Sequence, residues 1–256
     1  MKQLSGVLFI FIILLCGMAS CKKDQAIEPD LGYNYFPDQP GRFVIYDVDS
    51  FYYDDFNVDP VTRIAPIDTF RFQLKEKIQS VYLDNQNRPT LRLERYVKYY
   101  NPTVPYSALP WVLRNVWAEN RTATRAEKVE ENVRFVKLIF PIKKNKTWNG
   151  NAQNTNSEID YKYSFTDLSK TIAGNVFDST LEVEQQNYTD ILTKNYCAEQ
   201  YAKNVGLVYK KVILVESQPD PHWIPSQFTA FYAIPIMQRV NKGNQFIWTV
   251  NSYGIE

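Results

Sequence analysis

The sequence predicts a mainly β protein, with one large curved antiparallel sheet or half-barrel and one or two short helices. Three observations support this fold class. Apolar and polar residues alternate along many segments, which is the period-2 pattern of half-buried strands. Turn-forming residues separate these segments, and no internal repeat or low-complexity tract interrupts them. The chain of 256 residues is 45% hydrophobic and 15% aromatic, which is enough for one large domain or two small ones.

Ten segments carry the strand pattern. In residues 68–75, for example, Phe70, Phe72 and Leu74 lie on one face and polar residues on the other. Residues 78–83 and 90–100 predict a hairpin, because the Asp/Asn-rich stretch between them tolerates the left-handed backbone of a turn. The predicted strands are residues 43–48, 68–75, 78–83, 90–100, 133–142, 159–166, 176–186, 205–216, 230–240 and 246–251.

Two further segments favour helix. Thr124 and Glu127 have the spacing of a capping box ahead of a charged turn. Within residues 188–203, Leu192 and Tyr196 recur at roughly helical spacing, although a strand is also consistent with the second half.

The N-terminus has the layout of a secretory signal. Lys2 precedes an apolar run over residues 4–15, which is shorter than the roughly twenty apolar residues of a membrane-spanning helix. Residues 18–21 (Met-Ala-Ser-Cys) then resemble a bacterial lipobox, whose cysteine becomes the lipidated first residue of the mature protein. Met18 stands where Leu is usual. The alternatives are a soluble secretory protein and an uncleaved anchor.

These features divide the chain into three parts. Residues 1–20 are the predicted lipoprotein signal peptide, and residues 21–41 are the lipidated Cys21 and a flexible tether. Residues 42–256 are the predicted single antiparallel β domain. Acyl chains such as palmitate on Cys21 would hold this domain at the outer membrane, on its periplasmic or cell-surface face.

Cysteine use indicates an anchor. If Cys16 leaves with the signal and Cys21 is acylated, Cys197 is the remaining thiol, and the mature chain cannot form an internal disulfide. Neither a His nor a second Cys lies near Cys197 in sequence to lower its pKa. We therefore expect a buried, unreactive thiol.

Composition excludes several classes of function. The 29 Lys+Arg against 28 Asp+Glu give a net charge of +1, so the sequence predicts no basic face for nucleic acid. One His and three Cys leave too few groups for a zinc site or a His-based catalytic triad. We predict that the protein is not an enzyme and has no catalytic residue, no cofactor and no metal site.

Some short motifs have a functional and a structural interpretation. Residues 55–59 match the start of a calcium loop, but Pro60 replaces the glycine of the sixth position. His222 lies two residues from Asp220 in a proline-rich loop, without a nucleophile placed to be activated. We interpret both segments as structural loops.

Other residues suggest contact with sugars. The aromatic run at residues 51–56 is a candidate sugar-contacting surface, or a covered sheet edge. Glu130 with Glu131 and Glu182 with Glu184 are carboxylate pairs of the kind that a glycosidase uses, although such pairs arise by chance among 28 acids. The five Trp residues are spread along the chain, and the sequence does not assign them to a core or a groove.

Residues 178–180 (Asp-Ser-Thr) resemble the O-glycosylation acceptor of Bacteroidota, which makes Ser179 a candidate modification site.

The lipobox with Cys-Lys-Lys-Asp, the Tyr/Asn/Asp richness and four short stretches resemble an uncharacterised family of Bacteroidota envelope lipoproteins. The stretches are residues 44–50, 134–141, 148–151 and 199–208. The last is similar to a hairpin of envelope lipoproteins with a strongly curved sheet, some of them LolA/LolB-like with an apolar cavity. The resemblance implies a fold and a location, and it transfers no catalytic residue.

We therefore predict an outer-membrane-anchored lipoprotein that serves as a binding or envelope-assembly module, with an envelope protein or a glycan as partner. One alternative is a glycan-binding accessory protein or weak glycoside-acting enzyme, which would present exposed Trp and Tyr flanked by paired carboxylates. The other is a LolA-like carrier of apolar cargo, which would enclose an apolar concavity.

Overall fold

A single antiparallel sheet of twelve strands, nearly closed into a barrel, forms the framework of the protein. The computed structural model describes residues 29–256. The predicted fold class is confirmed, since within this range one curved antiparallel sheet carries one α-helix and short 3-10 turns. The strands are β1 (Arg42–Tyr53), β2 (Ile67–Leu83), β3 (Pro89–Tyr99), β4 (Val112–Arg121), β5 (Arg125–Glu130), β6 (Val133–Ile139), β7 (Thr147–Asn149), β8 (Asp160–Ile172), β9 (Asn175–Thr189), β10 (Thr193–Ala202), β11 (Gly206–Glu216) and β12 (Lys242–Ile255).

The sheet consists of two meanders joined along their first and last strands. Its order is β6-β5-β4-β3-β2-β1-β12-β11-β10-β9-β8-β7. Strands β1 and β12 pair along their whole length, from Arg42 opposite Ile255 to Tyr53 opposite Gly243. Both ends of the strand order, β6 and β7, are consecutive in the chain.

The edges β6 and β7 meet through hydrogen bonds. The Val136 amide donates to the Gly150 carbonyl at 2.9 Å, just beyond the end of β7. The Trp148 indole N–H donates back to the Val136 carbonyl, also at 2.9 Å. These two bonds satisfy backbone groups that an open edge would leave for another chain.

Aromatic residues form much of the core on the enclosed face. Trp148 packs on Tyr163 with ring centroids 4.6 Å apart, and Tyr46 lies 5.5 Å from Trp248. Burying such rings removes large apolar areas from water. The largest core cluster comprises Tyr35, Phe36, Ala126, Val136, Leu138, Phe140, Trp148, Tyr161, Tyr163, Leu181, Val183 and Tyr201.

The segment that precedes β1 also belongs to the core. Residues 31–41 fall within the predicted tether, yet Tyr35 is 1% exposed and Phe36 is 5% exposed. Arg121 donates to the carbonyls of Tyr33 and Phe36, both at 3.1 Å. The folded unit therefore begins at Leu31 rather than at residue 42.

The two helix predictions are wrong, whereas the strand alternative for the second half of residues 188–203 is confirmed, and hairpin geometry explains both outcomes. Residues 124–127 lead into β5, because the Thr122 amide donates to the Arg125 carbonyl at 2.8 Å and closes a turn after β4. Residues 188–203 contain the end of β9 and all of β10. The pairing of β10 is irregular, because Val208 is an extra residue in β11 and Gln185 is an extra residue in β9.

The predicted strand at residues 230–240 is also wrong. It contains the end of helix α1 (Pro225–Ala233) and a 3-10 turn (Ile236–Gln238). Proline is favoured at the first position of a helix, and the Ile224 amide donates to Gln227 Oε1 at 2.9 Å. Within residues 29–256, no helix has the length and apolar character needed to cross a membrane.

Candidate functional site

Charged side chains form a belt on the enclosed face of the sheet. Six of the eight are buried, and the other two are nearly so. Four are acids and four are bases, so their formal charges cancel. The charge belt comprises Glu76, Arg95, Glu119, Lys128, Glu130, Lys137, Glu199 and Lys210.

Strand register brings opposite charges together. Residues directly opposite each other on neighbouring antiparallel strands have Cβ atoms roughly 5 Å apart, within reach of a salt bridge for long side chains. Three pairs of the charge belt are opposite in this sense, namely Glu76 with Arg95, Glu119 with Lys128, and Glu199 with Lys210.

Lys137 reaches the interior through a bulge. Where β5 pairs with β6, Ala126 is opposite Leu138 and Glu127 is opposite Val136, so Lys137 is the extra residue. A bulge re-aims a side chain, and the Lys137 ammonium lies among carboxylates rather than in solvent.

One half of the belt centres on Glu76. Its carboxylate accepts from Arg95 Nε at 2.9 Å and from Lys128 Nζ at 2.8 Å. Lys128 also pairs with Glu119 at 3.2 Å. The Arg95 guanidinium lies 3.5 Å from the Trp117 ring centroid, which is a stacked cation–π contact.

The other half centres on Glu199. One carboxylate oxygen pairs with Lys137 Nζ at 2.8 Å and with Lys210 Nζ at 3.0 Å. Its second oxygen accepts from the Tyr201 hydroxyl at 2.7 Å. Lys137 also pairs with Glu130 at 3.1 Å. Every carboxylate of the belt thus has a cationic partner.

The pKa values reflect this balance. Burial by itself raises the pKa of Glu130, but Lys137 and Lys210 outweigh burial and lower it to about 2. The pKa of Glu76 is also lowered, because Lys128 and Arg95 together outweigh burial. Glu119 differs: burial raises its pKa, and Lys128 offsets only part of that effect.

A cavity of about 60 Å³ lies beside the charge belt. At roughly 10–15 Å³ for each water, it has room for a few waters or a small polar group. Seven belt side chains line it, together with Trp117 and Trp248. At the end of the sheet where β1 begins, it is bordered by Pro37, Arg42 and the β10–β11 turn at Gly206.

A second concave surface lies at the opposite end of the sheet. This aromatic groove, of about 430 Å³, is lined by Ser50, Thr69, Phe70, Arg71, Phe72, Tyr99, Tyr100 and Arg114. Phe70 is 57% exposed and Tyr99 is 64% exposed. The Arg114 guanidinium lies 5.7 Å from the Phe72 ring centroid. None of the residues in the predicted sugar-contacting run at 51–56 lines this groove. Within that run, Phe56 is 89% exposed and Tyr52 is 40% exposed.

The sequence-predicted site residues are dispersed. Cys21 lies outside the described residues. Ser179 is half-buried in β9, where its hydroxyl bonds Tyr35 at 2.7 Å and Asp167 at 2.9 Å. A glycan on Ser179 would displace Tyr35, and this modification stays a prediction.

Cys197 and His222 have no part in the charge belt. Burial raises the pKa of the Cys197 thiol to about 11, which disfavours the reactive thiolate. The His222 side chain is 91% exposed and bonds Asp220 at 2.9 Å. Among residues 29–256, no group of three or more His, Cys, Asp or Glu is arranged to hold a metal ion.

The carboxylate pairs have different surroundings. Glu130 belongs to the charge belt, whereas its neighbour Glu131 is exposed in the β5–β6 turn and accepts from Trp117 Nε1 at 3.2 Å. Glu184 pairs with Lys162 at 3.2 Å, with both side chains partly exposed.

The belt itself was not predicted from the sequence, although a signal exists. Glu76 interrupts the apolar series between Leu74 and Ile78, and Arg95 does the same between Leu93 and Val97. A charge at a position where alternation expects a core residue therefore indicates a polar interior.

Fold and site define a β protein with a charged, partly enclosed interior cavity. No family model and no curated protein matches the chain. A crystal structure of a Bacteroides fragilis protein, described as exported and as having a YmcC-like fold, aligns with it at a TM-score of 0.41. The two sequences are 10% identical, and the alignment covers 86% of this chain and 98% of that one.

Proposed function

We propose that this chain is an exported, lipid-anchored protein of the outer membrane that binds a small polar ligand and is not an enzyme. The observation that carries the binding role is the charge belt beside the cavity. Buried ion pairs are costly to desolvate, and apolar side chains of similar volume often stabilise a protein as well or better. Fold stability alone therefore gives no reason for eight charges here, whereas a polar ligand does.

The interior favours a polar ligand over apolar cargo. An acyl chain in this cavity would lie against Glu130, Lys137 and Lys210, and it would satisfy none of their hydrogen-bonding groups. The LolA-like alternative needs an apolar concavity, and the charge belt argues against it. The raised pKa of Cys197 also favours binding over thiol catalysis.

Ligand binding can be tested with cavity variants. Pools of small polar metabolites are titrated against the protein by native mass spectrometry and calorimetry. We expect Glu130→Gln to change the affinity for a retained metabolite at least about tenfold, the effect of roughly 1.4 kcal/mol, with a direction set by the charge of the ligand. Glu184→Gln, a change at a surface ion pair, should leave binding unchanged. Binding of apolar molecules alone, or equal binding by both variants, would overturn the proposal.

The anchor is proposed on the lipobox at residues 18–21. Acylation of Cys21 adds about 0.8 kcal/mol of membrane affinity for each buried methylene, so two or more chains hold a protein stably. Intact mass and membrane fractionation of wild type and Cys21→Ala test it. The wild type should carry the mass of acyl chains in the outer-membrane fraction, and the variant should lack them; an unacylated wild type would refute the anchor.

Glycan binding is a second candidate function, favoured by the aromatic groove. Exposed rings stack on the apolar faces of sugars, and Ser50 and Arg114 supply polar groups beside them. Affinity electrophoresis in polysaccharide gels should show retardation of the wild type and less retardation of Tyr99→Ala. Tyr188→Ala removes an equally exposed ring outside the groove and serves as control. Equal mobility of all three would exclude this role.

A further inference from the structure

We infer that the cavity beside the charge belt binds a small anion or an anionic end group, with Arg42 as its counter-ion. This inference rests on the proposed ligand-binding function and specifies the class of ligand. It starts from the sum of charges around the cavity. The lining holds four carboxylates and four cations, of which Arg42 is one. Arg95 of the belt lies outside the lining and pairs with Glu76, so the belt and Arg42 together carry one net positive charge.

Among residues 29–256, no carboxylate forms a salt bridge with Arg42. It is the first residue of β1, two positions before the buried Val44, so the alternation of the strand places both on the enclosed face. Burial lowers the pKa of the Arg42 guanidinium, and no neighbouring charge acts on it. A partly desolvated guanidinium stays charged. An anion at the cavity would therefore recover an interaction that the protein alone does not provide.

The carboxylates of the lining do not exclude an anion. Each of the four is already paired with one or more cations at 2.8–3.2 Å, so their fields are largely neutralised. The guanidinium presents two parallel N–H groups that match a carboxylate or a phosphate.

The size of the cavity limits the ligand. A volume of about 60 Å³ corresponds to roughly four to six waters. A phosphate or a carboxylate with its nearest carbons fits this space. Any larger ligand would extend outward past Pro37 and Gly206, which border the same end.

The test uses the full mature chain in a zwitterionic buffer of low chloride concentration. Inorganic phosphate and acetate are titrated as anionic probes, ethanolamine as a cationic probe and glycerol as a neutral one, by calorimetry and by the shift in melting temperature. Arg42→Gln is compared with Arg42→Lys. Arg92→Gln is the matched control, since Arg92 pairs with Glu94 and is 45% exposed.

We expect an anionic probe to bind wild type and Arg92→Gln with similar affinity. Its affinity for Arg42→Gln should be at least about tenfold lower, and its affinity for Arg42→Lys should be intermediate. Binding of glycerol or ethanolamine without either anion would overturn the inference and leave the polar-ligand function standing. Equal anion affinity of wild type and Arg42→Gln would also overturn it. Failure of all four probes, together with failure of the metabolite pools, would overturn both.

Discussion

Glu199 is the residue on which one half of the charge belt depends. It is 1% exposed and forms salt bridges with Lys137 and Lys210, and it accepts a hydrogen bond from Tyr201. Removing one partner of a buried ion pair leaves the other charges uncompensated in a medium of low polarity, which destabilises more than the pair itself stabilises.

We therefore predict that Glu199→Gln lowers the free energy of unfolding by about 3–5 kcal/mol. The matched control is Glu184→Gln, which breaks a partly exposed pair with Lys162 and should change stability by less than about 1 kcal/mol. Urea denaturation followed by Trp fluorescence measures both values. Similar losses in the two variants would show that the belt does not stabilise the fold in this way.

The lowered pKa values of Glu76, Glu130 and Glu199 predict a pH dependence. A carboxyl with a lowered pKa stabilises the folded state fully above its unfolded pKa of roughly 4.3, and this contribution is lost as pH falls. For Glu130 the loss extends down to a folded pKa of about 2. Glu119, with a raised pKa, has the opposite sign, and its contribution falls as pH rises.

The free energy of unfolding should accordingly decrease between about pH 5 and pH 2. In Glu130→Gln one of the titrating groups is absent, so the decrease should be shallower. Urea denaturation at a series of pH values measures the slopes. Identical slopes in wild type and variant would contradict the lowered pKa of Glu130.

Sequence alternation signals Glu76 and Arg95 but could not assign Lys137 or Glu130 to the interior. It separates two faces of each strand, but the face that is enclosed depends on the curvature of the whole sheet. A charged residue such as Lys137 is expected in solvent, and only the bulge in β6 turns it inward. The same ambiguity applies to Glu130 at the end of β5, since its neighbour Glu131 is exposed in the turn that follows.

At the scale of elements, long regular strands were the most predictable. The hairpin of β2 and β3 has a turn rich in Asp and Asn residues and forms as predicted, although a bulge at Gln79 interrupts β2. Strand β10 was predicted only as the alternative to a helix, because Leu192 and Tyr196 also have roughly helical spacing. Helix α1 was missed because its short sequence contains Phe228 and Phe231, which also suit a strand.

Gly243 is the position where an element most needs a glycine. A Cβ there would lie 2.1 Å from the Leu214 carbonyl oxygen in the adjacent strand, and φ is +122°. Gly174 also has a positive φ, of +81°, but its Cβ would meet nothing within 4 Å. Comparing the two separates backbone strain from collision between strands.

Gly174→Ala should therefore lower the free energy of unfolding by about 1–2 kcal/mol, which is the strain of an alanine with positive φ. Gly243→Ala should lower the free energy of unfolding by at least about 2 kcal/mol more, because the Leu214 carbonyl is part of the β11 backbone and cannot move without disturbing the strand. Thermal and urea unfolding provide the comparison. Equal losses would indicate that β11 and β12 separate without cost at this point.

At the scale of the whole folded unit, closure depends on two regions that are far apart in sequence. Trp148 joins the edges β6 and β7, and the segment around Tyr35 covers the end of the sheet where β1 begins. Tyr35 bonds Asp167 at 2.8 Å, and the Asn204 amide donates to the Asn34 carbonyl at 2.8 Å. The polar, proline-containing sequence of residues 22–40 gave little sign of this role, since a few scattered aromatic residues (Tyr33, Tyr35 and Phe36) supply the packing.

Truncation tests whether this segment is part of the fold. A chain of residues 31–256 keeps Tyr35 and Phe36 in the core and is the reference. A chain of residues 42–256 loses both buried rings, and removal of one such ring typically costs about 3–5 kcal/mol. Tyr35→Ala in the full mature chain should reproduce part of that loss, which separates lost packing from the effect of a new terminus. If the 42–256 chain unfolds at the same urea concentration as the 31–256 chain, the segment is a tether after all, and the cavity beside Arg42 is open to solvent on that side.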